Sequence, residues 1–316
     1  MRYIDGLKEN EHIIEHYLCK QKQSLKTRSG KTYLSLKLQD KTGVADAKVW
    51  ELTNDIHSFE EGEVIKIDGT VLLYQNDLQI KIARIRRSLD GEYAIDDYIP
   101  CTEKDIEEMY GQITGYIQSL KNPMIRGLVE NILINDGETV RAFKSHSAAK
   151  ALHHSFMGGL LEHTLSVTQI CDFMSARYKY INRDLLLSTA MLHDIGKIYE
   201  LSKMPDNDYT DDGQMLGHIM MGAEMVTAEA AKIPGFPHEL LSLMKHSIVS
   251  HHGEYEFGSP KLPSTMEAFI LHCADNMDAK VKAYEETLDQ DKTPGRWTAY
   301  QKMFNRYLRK SDYTQS

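Results

Sequence analysis

The sequence predicts a multidomain α and β protein, a small β-barrel followed by an all-α body. Three observations carry this. The first 90 residues alternate polar and apolar positions with a period of two, broken by turn residues. From about residue 102 onward the pattern changes to apolar residues at helical spacing. Charge divides in the same place. Residues 1–90 carry 15 Lys and Arg against 14 Asp and Glu, while the remainder carries 22 against 32 within a net charge of −9. A chain of 316 residues, 41% hydrophobic and 26% charged, is long enough to bury about two cores.

The strands follow in order. An early one spans about Ile13 to Ser24, and Thr32–Leu38 is the second. Asp40-Lys41-Thr42-Gly43 turns into Val44–Trp50. Glu61-Gly62 opens Val64–Val71, and Gln75-Asn76-Asp77 turns into Leu78–Ile85. Five short strands at hairpin spacing resemble an OB-fold, a barrel that often holds single strands. Basic residues cluster here although the whole chain is acidic. The candidate nucleic-acid contacts are Lys26, Arg28, Lys81, Arg84 and Arg86 for the backbone, and Tyr33, Trp50 and Tyr74 for stacking on bases. Each aromatic also has a packing reading, and the lysines also suit a solvated strand edge.

Residues 91–147 read as a linker and helical connector. Thr102 with Asp105 suggests a capped helix start, the helix running to about Leu120. Asn122-Pro123 punctuates before a second helix ending near Ile134. Residues 148–290 form the predicted main helical domain, with loops at Asp206–Gly213 and Gly258–Pro263, and 291–316 a tail mixing aromatics with Arg296, Lys302, Arg306, Arg309 and Lys310. The cysteines, Cys19, Cys101, Cys171 and Cys273, are scattered without a Cys-x-x-Cys pair. There is no secretory pattern and no apolar run long enough for a membrane span. A reduced, cytoplasmic protein is the expectation. No P-loop, Gly-rich dinucleotide motif or internal repeat is present.

The chemistry gathers around Leu192-His193-Asp194-Ile195-Gly196-Lys197. An apolar run, Asp184–Leu192, predicts a buried helix that ends on an imidazole and a carboxylate side by side. Both are ligands for divalent metals, and a carboxylate can bridge two. Gly196 offers a turn and Lys197 a cation beside the carboxylate. His163, His218, His251 with His252, and Asp275 each fall among apolar residues on separate predicted helices. One such histidine is ordinary. Five helices each carrying a ligand-type residue suggest one shared centre, because buried polar groups need partners. His153 and His154 could flank it.

The ordered set His163, His193-Asp194 and Asp275 resembles the HD-domain metal phosphohydrolases, with His218, His251 and His252 as the additions of two-metal members. The resemblance implies one metal on His163, His193, Asp194 and Asp275, a second on Asp194, His218, His251 and His252, and Asp194 as the bridge. It places Lys197 against a substrate phosphate, so Asp194 and Lys197 are the catalytic candidates. Histidine-rich ligation favours Mn, Fe, Co or Zn over Mg, and the resemblance puts Mn first, with Co, Fe or Zn as alternatives. An OB-like module before an HD domain that opens Gly158-Gly-Leu-Leu-Glu-His-Thr164 is similar to the YhaM family of bacterial 3′-to-5′ exoribonucleases, over nearly the whole chain. That likeness implies metal-dependent trimming of single-stranded RNA, and also of single-stranded DNA as an option, by a homo-oligomer. Two alternatives stay open: a nucleotide or cyclic-dinucleotide phosphohydrolase, and a non-catalytic nucleic-acid-binding protein.

Overall fold

A computed structural model describes residues 1–27, 29–74, 77–150 and 156–310. Arg28, the turn residues Gln75 and Asn76, and the pair His153-His154 named above lie outside the described residues. The chain divides into two compact units: 1–103 with 202–208, and 104–201 with 209–316.

The first unit is the expected barrel. Its strands are β1 (His12–Lys26), β2 (Thr32–Asp40), β3 (Gly43–Val49), β4 (Val64–Tyr74) and β5 (Asp77–Arg87), closed in the order β1-β2-β3-β5-β4. All neighbours are antiparallel except β3 and β5. Closure needs β1 to serve two partners. Its first half pairs with β4 and its second with β2, around a register shift between Cys19 and Gln21 that bends the strand. Alternate residues then fill the interior: Tyr17, Leu36, Leu38, Ala47, Val49, Ile65, Ile67, Val71, Ile80 and Ile85, with Phe59 among them. A second shift lies where Asp68 pairs with Arg84 and Gly69 with Ile82. A Cβ on Gly69 would stand 2.7 Å from the Lys81 carbonyl oxygen, so only glycine lets β4 and β5 meet there.

The second unit is helical. Its elements are α1 (Ile106–Ser119), α2 (Pro123–Glu130), α3 (Gly137–Ser145), α4 (Gly159–Arg177), α5 (Arg183–Leu192), α6 (Lys197–Glu200), α7 (Asp211–Ala231), α8 (His238–Ser250) and α9 (Met266–Gln290). Side-chain caps start six of them. Asp105, Asn122, Asp136, Asn182, Thr210 and Thr265 each accept from a backbone N–H of the following turn. Three expectations change in detail. The first cap is Asp105 itself, with Thr102 outside the helix. The second helix passes at Asn131 into a wider π-type stretch reaching Asn135. Asp211–Gly213, expected in a loop, is the first turn of α7, because Thr210 caps it. The helices share one core that includes Ile113, Ile117, Leu128, Phe143, Leu161, Leu186, Val226, Met244, Ile248 and Leu271. Among the described residues, no helix is long and apolar enough to cross a membrane.

Gly69→Ala should destabilise the chain by about 1–3 kcal/mol, because the new methyl meets backbone rather than a movable side chain. The check is the chemical-denaturation midpoint of the barrel transition. An unchanged midpoint would show that the strands can part there at no cost.

Candidate metal centre

Five helices deliver the candidate ligands to one place. His163 sits in the second turn of α4, and His193 and Asp194 follow the C-terminus of α5. His218 follows Gly217, whose φ of 73° breaks α7 and restarts it. His251 and His252 follow α8, and Asp275 lies within α9. Continuous apolar surface on α5 is what carries the centre inside: His193 is 0% exposed and Asp194 2%.

Asp194 stands between two groups. Its Oδ2 lies 3.5 Å from His163 Nε2 and 3.4 Å from His193 Nε2. Its Oδ1 lies 3.4 Å from His218 Nε2 and 3.6 Å from His251 Nε2. Asp275 Oδ1 adds to the first group, 3.2 Å from His163 Nε2 and 4.0 Å from His193 Nε2. His163, His193 and Asp194 form one set with metal-ligand spacing, and His218, His251 and His252 another.

All five imidazoles are oriented the same way. Each Nδ1 faces an oxygen that can only accept, so each ring carries its proton there. His163 Nδ1 donates to Asp278 Oδ2 (2.7 Å) and His218 Nδ1 to Glu200 Oε1 (2.9 Å). His193, His251 and His252 donate to the carbonyls of Ala190, Ile248 and Phe257 at 2.8, 2.6 and 2.8 Å. Every Nε2 is thereby turned to the centre. Asp194 Oδ1, His218 Nε2 and His251 Nε2 are buried with no hydrogen-bond partner. A structure does not leave such atoms unanswered without a reason, and this donor set fits divalent cations.

Electrostatics agree. Burial disfavours the His163 imidazolium, but Asp275 and Asp278 outweigh it and hold the ring at about 10. Burial would raise the Asp194 carboxyl, yet Lys197 and His193 keep it well below the usual carboxylate range. Positive charge is therefore demanded at the centre, and a metal would compete with protons for it. Lys197 partly meets that demand, its Nζ resting 2.6 Å from Asp194 Oδ2.

The sequence reading missed two carboxylates. Glu200 accepts from the His218 ring and also from the His218 backbone N–H (3.0 Å), so it caps the restarted helix and aims the ligand together. Asp278 aims His163 and also accepts from Ser166. Asp278 was findable, three residues after Asp275 on one helical face. Glu200 had no comparable signal. Gly196 closes the turn of residues 193–196 before α6, as expected, though its φ of −62° would suit any residue. It is glycine because a Cβ would stand 2.1 Å from the His218 carbonyl oxygen.

The nucleic-acid candidates lie on the barrel. Tyr33 and Trp50 stack on each other, with centroids 4.7 Å apart and planes 24° off parallel, and Lys48 lies 6.0 Å from the Tyr33 ring. Tyr74 is exposed at the end of β4, Lys26 at the end of β1, and Lys81 and Arg84 are exposed on β5. Arg86 is committed elsewhere, forked onto both Glu92 oxygens at 2.7 Å.

Fold and site together define an HD-type metal-binding helical domain joined to an OB-fold barrel. Comparison with known proteins agrees: residues 160–280 match the HD domain model, and 20–87 match the OB-fold nucleic acid binding domain model. The 3′-5′ exoribonuclease YhaM of Geobacillus sp. (strain WCH70) is 36% identical over 274 residues, covering 85% of this chain and 82% of that protein. The Bacillus pumilus (strain SAFR-032) protein of the same name is 35% identical over 292 residues, covering 91% of each. The chain belongs to this YhaM 3′-5′ exoribonuclease family.

Glu200→Ala should reduce metal affinity at the His218 group by roughly 10–100-fold while sparing the His163 group. Glu200→Gln, which keeps an acceptor for both N–H donors, should lose less. Equilibrium dialysis with elemental analysis decides it. Equal metal retention in all three proteins would show that Glu200 does not orient His218.

Proposed function

We propose that this protein hydrolyses single-stranded RNA from the 3′ end with two divalent cations at the HD centre; its relatives are named 3′-5′ exoribonucleases. The observation that carries the dinuclear reading is the division of Asp194, whose two oxygens face different pairs of imidazoles. His163, His193, Asp194 and Asp275 would hold one ion, and Asp194, His218, His251 and His252 the other. Manganese fits a histidine-rich set, with cobalt, iron and zinc as the other candidates. Bound there, such ions supply charge neutralisation at the phosphodiester and a water acidic enough to attack it near neutral pH.

The chain's own residues do the rest. Asp194 fixes the spacing of the two ligand groups. The outward-held Nδ1 protons keep every Nε2 available as a donor. Lys197, now on Asp194 Oδ2, is placed to follow charge onto a phosphoryl oxygen as it builds. The barrel supplies affinity: its basic residues meet phosphates, and the Tyr33–Trp50 pair offers a stacking face. The residues divide by role into a barrel (1–90), a connector (91–147), the catalytic domain (148–290) and a tail (291–316). A cytoplasmic location, self-association and activity on single-stranded DNA belong to this reading as well. A mononucleotide phosphohydrolase would not need the barrel.

Asp194→Ala should abolish hydrolysis and lose both ions, because its carboxylate serves both groups. Elemental analysis finding full metal content in the folded variant would remove it as the bridge.

If a 3′ end must enter the centre, a circular RNA should survive while the linear form of the same sequence is degraded. Loss of both at one rate would indicate endonuclease action instead.

A further inference from the structure

The segment Arg296–Lys310 contains five Lys and Arg and no Asp or Glu, in a part of the chain that is otherwise acidic. It lies beyond the residues matched to the HD domain. It is also built rather than loose. Trp297 pairs with Arg309 and Gln301 with Arg306, as in a hairpin. The Thr298 N–H donates to the Leu308 carbonyl and the Lys310 N–H to the Arg296 carbonyl, both at 2.9 Å. Thr298 and Leu308 are each 4% exposed. Alternation then puts their neighbours Trp297, Tyr307 and Arg309 on the opposite, solvent side.

Ring packing and an ion pair are among the contacts that moor this hairpin to the helical unit. The Phe304 ring packs 4.2 Å from that of Tyr284 on α9, and Lys310 Nζ sits 2.6 Å from Asp291 Oδ2. What remains outside is unusual. Trp297 is 55% exposed and Tyr307 58%. Lys302, Arg306 and Arg309 are exposed, and among the described residues none of them has a carboxylate partner. Solvent gives no reason to hold large rings outward, or to gather on one small element cations that no described carboxylate compensates.

We propose that this hairpin is a second single-stranded RNA contact, on the catalytic unit itself. Lys302, Arg306 and Arg309 meet backbone phosphates while Trp297 and Tyr307 stack on bases. Cations with no carboxylate partner among the described residues call for a polyanion, and exposed aromatic faces select one whose bases are unpaired. The cross-strand pairing of Trp297 with Arg309 puts a stacking surface and a phosphate contact side by side. The inference rests on RNA as the substrate, and assigns a grip outside both the barrel and the metal centre.

The test uses the full chain, stripped of metal so that nothing is cleaved. Fluorescence anisotropy follows a labelled, unstructured 30-nucleotide RNA across a potassium chloride series. Lys302→Glu with Arg309→Glu should flatten the log–log salt slope by about 1.4, at roughly 0.7 per phosphate contact. Trp297→Ala should weaken binding by about tenfold. Hydrolysis of bis(p-nitrophenyl) phosphate by the metal-loaded variants should be unchanged, which certifies the fold. Where the charge reversal fails that control, Lys302→Gln with Arg309→Gln replaces it with the same expected slope. Trp50→Ala in the barrel is the parallel arm. Hairpin variants binding like the parent, while Trp50→Ala weakens, overturn this inference alone. No loss in either arm overturns the barrel reading too. A change in sedimentation mass with RNA binding intact would make the hairpin a protein interface and overturn the proposal.

Discussion

A buried carboxylate with too few partners is the constraint on which the helical unit depends. Asp194 is almost wholly removed from water, and ionised carboxylates are costly to bury unless opposite charge and hydrogen bonds answer them. Lys197 answers one oxygen. The other, Oδ1, is left facing two imidazoles whose protons point away from it. Five helices must converge to make this arrangement, with α5 and α8 ending and α7 breaking at the centre. Such a centre has poor cohesion without cations, so the surrounding core has to hold it. The large apolar cluster that includes Leu186, Leu187, Met244, Ile248 and Leu271 does that.

Precision comes from backbone contact as much as from side chains. Gly196 lies against the His218 carbonyl, and Gly213 lies against the carbonyl of Glu200, where a Cβ would again stand 2.1 Å away. The stretch after Asp194 is therefore pressed directly onto α7. That closeness lets the Glu200 carboxylate reach both the backbone and the ring of His218. A helix break at Gly217 would normally expose unpaired N–H groups; here Glu200 takes one of them. One side chain thus couples the geometry of a broken helix to the direction of the His218 ring.

Charge is distributed to suit a polyanionic substrate and an acidic catalytic body at once. The catalytic part needs carboxylates to gather cations, which makes it repellent to a phosphate chain. Attraction has to come from separate basic elements. The barrel has such residues on β5 and β1, and the hairpin after α9 has three cations free of carboxylates among the described residues. Not every basic residue qualifies. Arg86 is spent on Glu92, and Lys310 on Asp291.

The sequence by itself determined the two-part architecture, the five strands and nearly all the helices. Periodicity is local, and a period of two or of 3.6 can be read without knowing what packs where. It also determined the candidate ligand types, since histidines and acids on apolar stripes are anomalous wherever they occur. Tertiary structure alone decided what those residues do together. The split of Asp194 between two groups depends on the relative placement of five helices. The roles of Glu200 and Asp278 depend on which imidazole each one meets, 18 and 115 residues distant in the chain. Gly196 showed the same limit: its composition suggested a turn, and only the approach of α7 revealed a contact that admits no side chain. Arg86 looked like a phosphate ligand until its partner was visible. Spacing reports which face a residue occupies, but a partner from a distant segment is fixed only when the chain has folded.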